Sequence, residues 1–401
     1  MVRRVNKKTM KNILFCLQTM VCGGVEKELI TILKRFDRTK YKLSVLLMYE
    51  QDMDILKMIP EDVEVIKLNI DKDYFCSNTS KLITERVKKG RLYEALKLGV
   101  SRVIINDPAP KSISLEQISA QEEYYDYAVC YHLHSPIVLR YVDEKVKATK
   151  KIAWIHNDFT TTGYKIEKYH KWLSQYDLFV GVSRKLTEEF VTICPQYEGI
   201  TQTVHNIVDE SEIQEKAMDM SNVEETFLQD KRFKIVTVGR FVEQKGFDIA
   251  VSACAYLKRK GMPVVWYAIG YGQEEDLIIN LVREKGIENE FVILGRKENP
   301  YPFINLANLY LQTSRHEGYA ITIEEAKALK KVIVCTNFAG ASEQINNGIN
   351  GIVVPKFTAE AVGEAILHIY YDENYRSKLQ ESIQNEEQQD NWKKIEDVFK
   401  I

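Results

Sequence analysis

Two glutamates, Glu317 and Glu325, flank a turn at Gly318 in Ser314-Arg-His-Glu317-Gly-Tyr-Ala-Ile-Thr-Ile-Glu-Glu325. The segment follows an apolar run, Leu309–Thr313, that reads as a strand, and it opens a helix. A helix entry presents backbone N–H groups around Ala320–Thr322, a ready place for a phosphate. Glu325, about one turn into the helix, is placed to reach the hydroxyls of a ribose. Glu317, on the preceding loop, is placed to reach the hydroxyls of a second sugar. The same stretch, Thr322-Ile-Glu-Glu325, also fits a capping box, which needs no ligand.

A second group is Val238-Gly239-Arg240-Phe-Val-Glu-Gln-Lys245-Gly246, again between a strand and a helix, Phe247–Arg259. Arg240 and Lys245 share one loop, and two fixed cations stabilise the charge of a departing diphosphate without a metal. A solvated basic loop is the plainer reading. Ala268-Ile-Gly270-Tyr-Gly272 is a third strand-to-helix turn, and tight packing explains its glycines as well as a nucleotide does. In the first half, Gly23 and Gly24 join the first strand to the first helix, where backbone can approach a phosphate or an acceptor. No G-x-G-x-x-G and no P-loop lysine accompany them, which argues against dinucleotide and P-loop sites. His156 closes the strand Lys151–His156. His132 and His134 stand two apart after Tyr127–Tyr131, but no carboxylate or thiol completes a metal set, so no metal is expected. Asp52 with Asp54, and Asp71 with Asp73, read as surface-loop coincidences.

Short β-branched runs alternate with amphipathic segments throughout. In the first half, strands are expected at Asn12–Leu17, Leu43–Met48, Val63–Leu68, Tyr127–Tyr131, Lys151–His156 and Leu178–Val182, with a helix over Gly24–Phe36. Residues 206–231 are polar and read as a linker. The rhythm restarts with Lys234–Val238, Val264–Ile269, Phe291–Leu294, Leu309–Thr313, Val332–Cys335 and Gly351–Val354. From Ala359 on the chain reads as helical, and it ends in an amphipathic tail, 391–399. Near-continuous apolar strands between helices imply two parallel sheets covered on both faces. Doubly wound units take ligands at the carboxyl ends of their strands, which points to an interdomain cleft if those ends face each other.

The 401 residues suffice for two sizeable cores, and the net charge of −2 hides an asymmetry. Residues 1–205 carry 32 Lys+Arg against 26 Asp+Glu, and the remainder 23 against 31. The basic half is read either as scattered solvated charge or as a domain resting on an anionic surface. The mixed segment Lys81–Leu98 suits an interfacial helix, and equally a solvated one. The seven cysteines form no C-x-x-C pair and read as reduced, buried thiols of a cytoplasmic protein. The basic N-terminus before Ile13–Leu17 imitates a signal peptide, but Gln18 and the Gly-Gly turn favour a first buried strand. No apolar stretch reaches membrane-span length.

Together these motifs resemble glycosyltransferase family 4, the retaining GT-B or group 1 glycosyltransferases. The resemblance rests on an ordered set: the Gly-Gly loop, His156, Val182-Ser183, His205-Asn206-Ile-Val-Asp209, Gly239-Arg240-x4-Lys245-Gly246 and Glu317-x7-Glu325. It implies an α/β GT-B fold of two facing Rossmann-like, doubly wound domains, with a C-terminal helix crossing back to the first. The implied domains are 1–206 for the acceptor, 207–385 for the nucleotide sugar and 386–401 for the crossover helix. By position, Arg240 and Lys245 would bind the donor pyrophosphate, Glu317 the transferred sugar and Glu325 the ribose. His156 would line the reacting face. Gly23, Gly24, Gly239, Gly270, Gly318, Tyr319, Ala320, Ile321 and Thr322 would complete the donor site. The family needs no metal or other cofactor and retains the anomeric configuration.

The implied reaction moves a hexose or N-acetylhexosamine from a UDP-sugar to a saccharide or lipid-linked saccharide in surface-polysaccharide synthesis. The protein is expected in the cytoplasm, peripheral on the cytoplasmic face of the membrane, with no nucleic-acid partner. Two departures stand out: Ala320 where the family usually has proline, and Ile207 after Asn206 where glycine or proline is common. The competing readings are a GT-B-like UDP-sugar epimerase and a non-catalytic subunit. The four charged donor residues argue against the second.

Overall fold

A computed structural model describes residues 10–21, 23–50, 53–68, 70, a few positions between 83 and 96, 118–386 and 391–400. Asp52, Asp71 and Asp73, the cysteines at 22 and 76, and much of Lys81–Leu98 lie outside the described residues. The chain divides into two compact units. The first comprises Met1–Val182, Leu186–Val204 and the end from Phe399, and the second comprises Ser183–Lys185 and His205–Val398.

The first unit is built on a parallel sheet of β1 (Lys11–Leu17), β2 (Tyr41–Leu47), β3 (Glu64–Lys67), β4 (Tyr124–Cys130), β5 (Lys147–Ile155), β6 (Leu178–Gly181) and β7 (Thr201–Thr203). Its order is β3-β2-β1-β4-β5-β6-β7. Strand β7 was not foreseen. Thr-Gln-Thr is too short and too polar to show a period, and only pairing with β6 makes it a strand. The helix Gly24–Arg35 follows β1 and buries Leu29, Ile32 and Leu33.

In the second unit β8 (Phe233–Val238), β9 (Val264–Ile269), β10 (Phe291–Gly295), β11 (Leu309–Gln312), β12 (Ile333–Thr336) and β13 (Ile352–Val354) pair in the order β10-β9-β8-β11-β12-β13. Successive residues feed opposite faces of the sheet. Ile235, Trp266 and Leu309 join one apolar cluster, and Val236, Tyr267 and Tyr310 join the other. In both sheets the strand order reverses once, at β1–β4 and at β8–β11. Such a switch point opens a crevice at the carboxyl ends, because the connections on its two sides leave in opposite directions.

Residues 206–231 are not a linker. Helices Glu210–Ala217 and Glu225–Gln229 occupy most of the segment, and Ile213, Ala217 and Phe227 are buried in the second unit's core. Asp209 caps the first of them by accepting from the Glu212 amide at 2.9 Å. Polar composition hid these helices because each contributes only one or two apolar residues to the core.

The last helix, Trp392–Val398, is followed by Phe399, which belongs to the first unit and is fully buried there. Its ring lies edge-on to Phe36 at 5.3 Å, Tyr127 at 5.4 Å and Phe15 at 6.0 Å. Burying such a side chain contributes on the order of 2–3 kcal/mol, so the chain end is tied to the first core.

Candidate functional site

Two loops leave the switch point of the second sheet side by side, one after β8 and one after β11. The β8 loop runs through Gly239 and Arg240 into a single 3-10 turn, Glu243–Lys245, which Gly246 ends at φ +63°. A Cβ at Gly246 would stand 2.3 Å from the Thr313 carbonyl oxygen, so the turn is pressed against the exit of β11. Hydrogen bonds tie the loops together. Thr313 Oγ1 donates to the Lys245 carbonyl at 3.0 Å, the Arg315 amide to Gln244 O at 2.8 Å, and Gln244 Nε2 to His316 O at 2.9 Å. The Arg315 guanidinium grips both oxygens of Asp248, at 2.9 and 2.7 Å. Burial by itself would raise the Asp248 carboxyl; the hydrogen bonds and charge of Arg315, with the backbone amides of Ile249 and Asp248, together hold the group below its usual range.

This arrangement brings Lys245 and Glu317 together as an ion pair, Nζ to Oε1. The lysine stem lies over Gly239, with Cδ 3.5 Å from where a Cβ would be. Arg240 is exposed and makes no ion pair among the described residues. Gly270, at the end of β9, sits against the Gly239 carbonyl. The segments holding Gly239, Lys245, Gly270 and Glu317 are therefore one patch, although 78 residues of chain separate its ends.

The helix after β11 is Ile321–Ala328, with Ala320 as its N-cap and no side-chain cap. Thr322 is the second helical residue, so the capping-box alternative does not hold. Its hydroxyl contacts Gln312 Oε1 at 3.1 Å instead. Glu325 is buried and accepts from the Tyr301 hydroxyl at 2.9 Å. Tyr319 stacks on His205, at 4.9 Å and 13°, and its carbonyl accepts from Asn206 Nδ2 at 3.2 Å. The His-Asn motif thus supports the loop that carries Gly318 and Tyr319.

Of the helix-entry amides, that of Ala320 is committed: it donates to Gln344 Oε1 at 2.9 Å, and Gln344 Nε2 donates back to the Ala320 carbonyl at 2.9 Å. The amides of Ile321 and Thr322 remain as helix-terminal donors. Gln344 also accounts for alanine where proline is usual. Ala320 has φ −77°, which proline tolerates, so the N–H is what proline would remove. Ala320→Pro is expected to leave Gln344 Oε1 buried and unsatisfied. The cost is about 1–3 kcal/mol, read as a lower urea midpoint. An unchanged midpoint would mean that Gln344 finds another partner.

Gly23, Gly24 and His156 lie in the first unit, at the carboxyl ends of its strands. Gly23 is the N-cap of the helix that starts at Gly24, and Glu26 Oε2 comes within 2.6 Å of where its Cβ would be. His156 follows β5 and is buried, with Nδ1 3.9 Å from Glu28 Oε2. Neither of its ring nitrogens makes a hydrogen bond of normal geometry with a described residue. Burial, with His132 nearby, pushes its pKa well down, so the ring is neutral. Burial also lowers His134 to about 3. His134 stacks on Phe159, and its Nε2 lies 3.2 Å from the Asp158 carbonyl. Among the described residues no group of three or more His, Cys, Asp or Glu side chains is placed to hold a metal.

Sequence reasoning passed over Tyr301, Gln312, Gln344 and the Arg315–Asp248 pair. Only Gln312 left a signal, as a polar residue inside the apolar run Leu309-Tyr-Leu-Gln-Thr.

Residues 220–386 match the family model for glycosyl transferases group 1. The match falls within the second unit, which holds the paired loops. Among curated proteins, a lipopolysaccharide core biosynthesis glycosyltransferase, LpsE, of Rhizobium meliloti is 29% identical over 147 residues, 37% of this chain and 42% of that one. An alpha-D-kanosaminyltransferase of Streptomyces kanamyceticus is 26% identical over 164 residues, 40% of this chain and 42% of that one. The chain thus spans about two fifths of the length of these curated relatives. Over nearly the whole chain, the crystal structure of Anabaena HepE in complex with UDP and glucose superposes with a TM-score of 0.68 at 18% identity, covering 94% of each chain. The fold is GT-B.

Proposed function

We propose that this protein is a retaining glycosyltransferase that moves a hexose or N-acetylhexosamine from a nucleotide sugar, with UDP as the carrier, to a saccharide or lipid-linked saccharide. The observation that carries the reading is the Lys245–Glu317 pair within the unit that matches group 1 glycosyl transferases. A cation for the diphosphate and a carboxylate for the sugar stand on two loops knitted into one patch. Arg240, exposed on the same loop, adds the second positive charge.

As the bond between the anomeric carbon and the diphosphate breaks, negative charge grows on the leaving oxygen. Lys245 and Arg240 stabilise that charge by attraction and hydrogen bonding, the task a metal performs elsewhere. Glu317 holds a hydroxyl of the sugar so that its reacting face stays presented. The acceptor hydroxyl attacks from the side the diphosphate leaves and gives its proton to the departing phosphate oxygen. No protein nucleophile is required, and configuration is retained. Glu325 takes the ribose, and the amides of Ile321 and Thr322 take phosphate or sugar oxygens. The first unit takes the acceptor, with neutral His156 at its reacting face.

The relatives support the choice of chemistry: one is named as a lipopolysaccharide core biosynthesis glycosyltransferase and one as an alpha-D-kanosaminyltransferase. Calorimetry or thermal shift with UDP, GDP, UDP-glucose, UDP-galactose, UDP-N-acetylglucosamine and GDP-mannose, with and without EDTA, tests the reading. One nucleotide sugar is expected to bind, equally well in EDTA. Binding by none would leave a non-catalytic subunit as the better description, and loss in EDTA would overturn the metal-free mechanism.

The proposed place of action is an anionic membrane face. Leu92, Tyr93 and Leu96 are 62%, 81% and 70% exposed, beside exposed Lys88 and Arg91. Co-sedimentation with vesicles containing anionic lipid is expected, and equal recovery with neutral vesicles would count against an electrostatic contact. Among the described residues no helix is long and apolar enough to cross a membrane.

A further inference from the structure

We infer that Gln312 is a positioning residue that fixes which oxygen of Glu317 meets the sugar. Gln312 ends β11, next to the centre of the sheet, and is 1% exposed. A buried amide there is costly unless its hydrogen-bonding capacity is met. It is met four times. Oε1 contacts the Tyr310 hydroxyl at 2.8 Å and Thr322 Oγ1 at 3.1 Å. Nε2 donates to Ser314 Oγ at 2.7 Å and to Glu317 Oε1 at 3.3 Å.

The chemistry sets the direction of this network. A carboxylate only accepts, so the amide must turn its NH2 towards Glu317 and its oxygen towards the two hydroxyls. Ser314 has one proton. Because its oxygen accepts from Gln312, that proton goes to Glu317 Oε1, 2.7 Å away. With Lys245, three donors converge on Oε1. No hydrogen bond or ion pair of Oε2 with a described residue accompanies them, and Oε2 is the oxygen left to accept from a ligand hydroxyl. When Lys245 turns to a diphosphate, Gln312 and Ser314 are the donors that still hold the carboxylate in place. The inference rests on the proposed role of Glu317 as the holder of the transferred sugar.

Gln312→Met keeps length and apolar volume and removes all four hydrogen bonds. The test measures dissociation constants for UDP and for the sugar nucleotide that turns over, together with kcat, in Gln312→Met, Glu317→Ala and the double variant. Circular dichroism and melting establish that each is folded. Gln312→Met is expected to bind UDP within about twofold of the parent. It should lose the extra affinity that the sugar confers, and kcat should fall roughly tenfold to a hundredfold, as for a lost hydrogen bond to a charged group. In the Glu317→Ala background the same change should have no further effect on kcat.

Equal losses in both backgrounds would show that Gln312 acts on the fold at large, and a parental kcat in Gln312→Met would likewise overturn the inference. Parental turnover and sugar discrimination in Glu317→Ala would instead remove the role on which the inference rests. If Gln312→Met does not fold, Ser314→Ala carries the same comparison. It deletes one donor to Oε1, with a smaller loss expected in the same direction.

Discussion

Lys245→Ala is expected to lower kcat for sugar transfer by about a hundredfold to a thousandfold, the usual effect of deleting one fixed donor aimed at developing charge. Binding of UDP should weaken as well, since in the proposed mechanism the lysine faces the diphosphate before and after the bond breaks. The protein should stay folded. Glu317 keeps its hydrogen bonds from Ser314 and Gln312, and the loop keeps its links through Thr313 and Arg315. Initial rates with the cognate donor, alongside melting curves, separate the two effects. Turnover within twofold of the parent would remove Lys245 from the machinery and leave Arg240 as the main cation.

The largest stability effect is expected at Gly270. A Cβ there would lie 1.8 Å from the Gly239 carbonyl oxygen and 3.2 Å from Phe241 Cε1. Neither backbone is free to retreat: the Gly239 amide donates to Ile269 O at 3.0 Å and the Gly270 amide to Gly295 O at 2.9 Å. Gly270→Ala must therefore part the carboxyl ends of β8 and β9, at a cost of about 3 kcal/mol or more. Urea denaturation reads this directly. Gly199→Ala is the control, because nothing lies within 4 Å of its would-be Cβ and it should change little. Equal midpoints for the two variants would show that the contact between the ends of β8 and β9 yields more easily than its hydrogen bonds suggest. Because Gly239, against which Gly270 packs, leads directly into Arg240, donor affinity should fall with stability at Gly270 and not at Gly199.

These two positions also show how far sequence reading reaches. Lys245 stands out in the sequence as a candidate because a cation between a strand and a helix is suited by type and spacing to a phosphate, but its pairing with Glu317 is visible only in the structure. Gly270 was ambiguous, since a Gly-x-Gly turn fits both tight packing and ligand approach. The structure shows what packs there, the Gly239 carbonyl, a neighbour 31 residues away along the chain. The 206–231 segment was misread because composition reports average polarity, while burial depends on the few apolar side chains, Ile213, Ala217 and Phe227, that meet a core supplied by other strands. The capping box at Thr322 failed for a similar reason: a local pattern was outbid by a hydrogen bond to Gln312.

The sequence by itself determined the alternation of strand and helix, the two parallel sheets, and the charged and glycine residues at strand ends. Each of these follows from the period, size or charge of residues close together in the chain. Only the tertiary structure decided that β8 lies beside β11, that Lys245 therefore reaches Glu317, and that Gln312, Ser314, Arg315 and Gln344 hold the loops. Strand order and side-chain partnership are matters of distance between residues far apart in the chain, and local pattern carries no record of that distance.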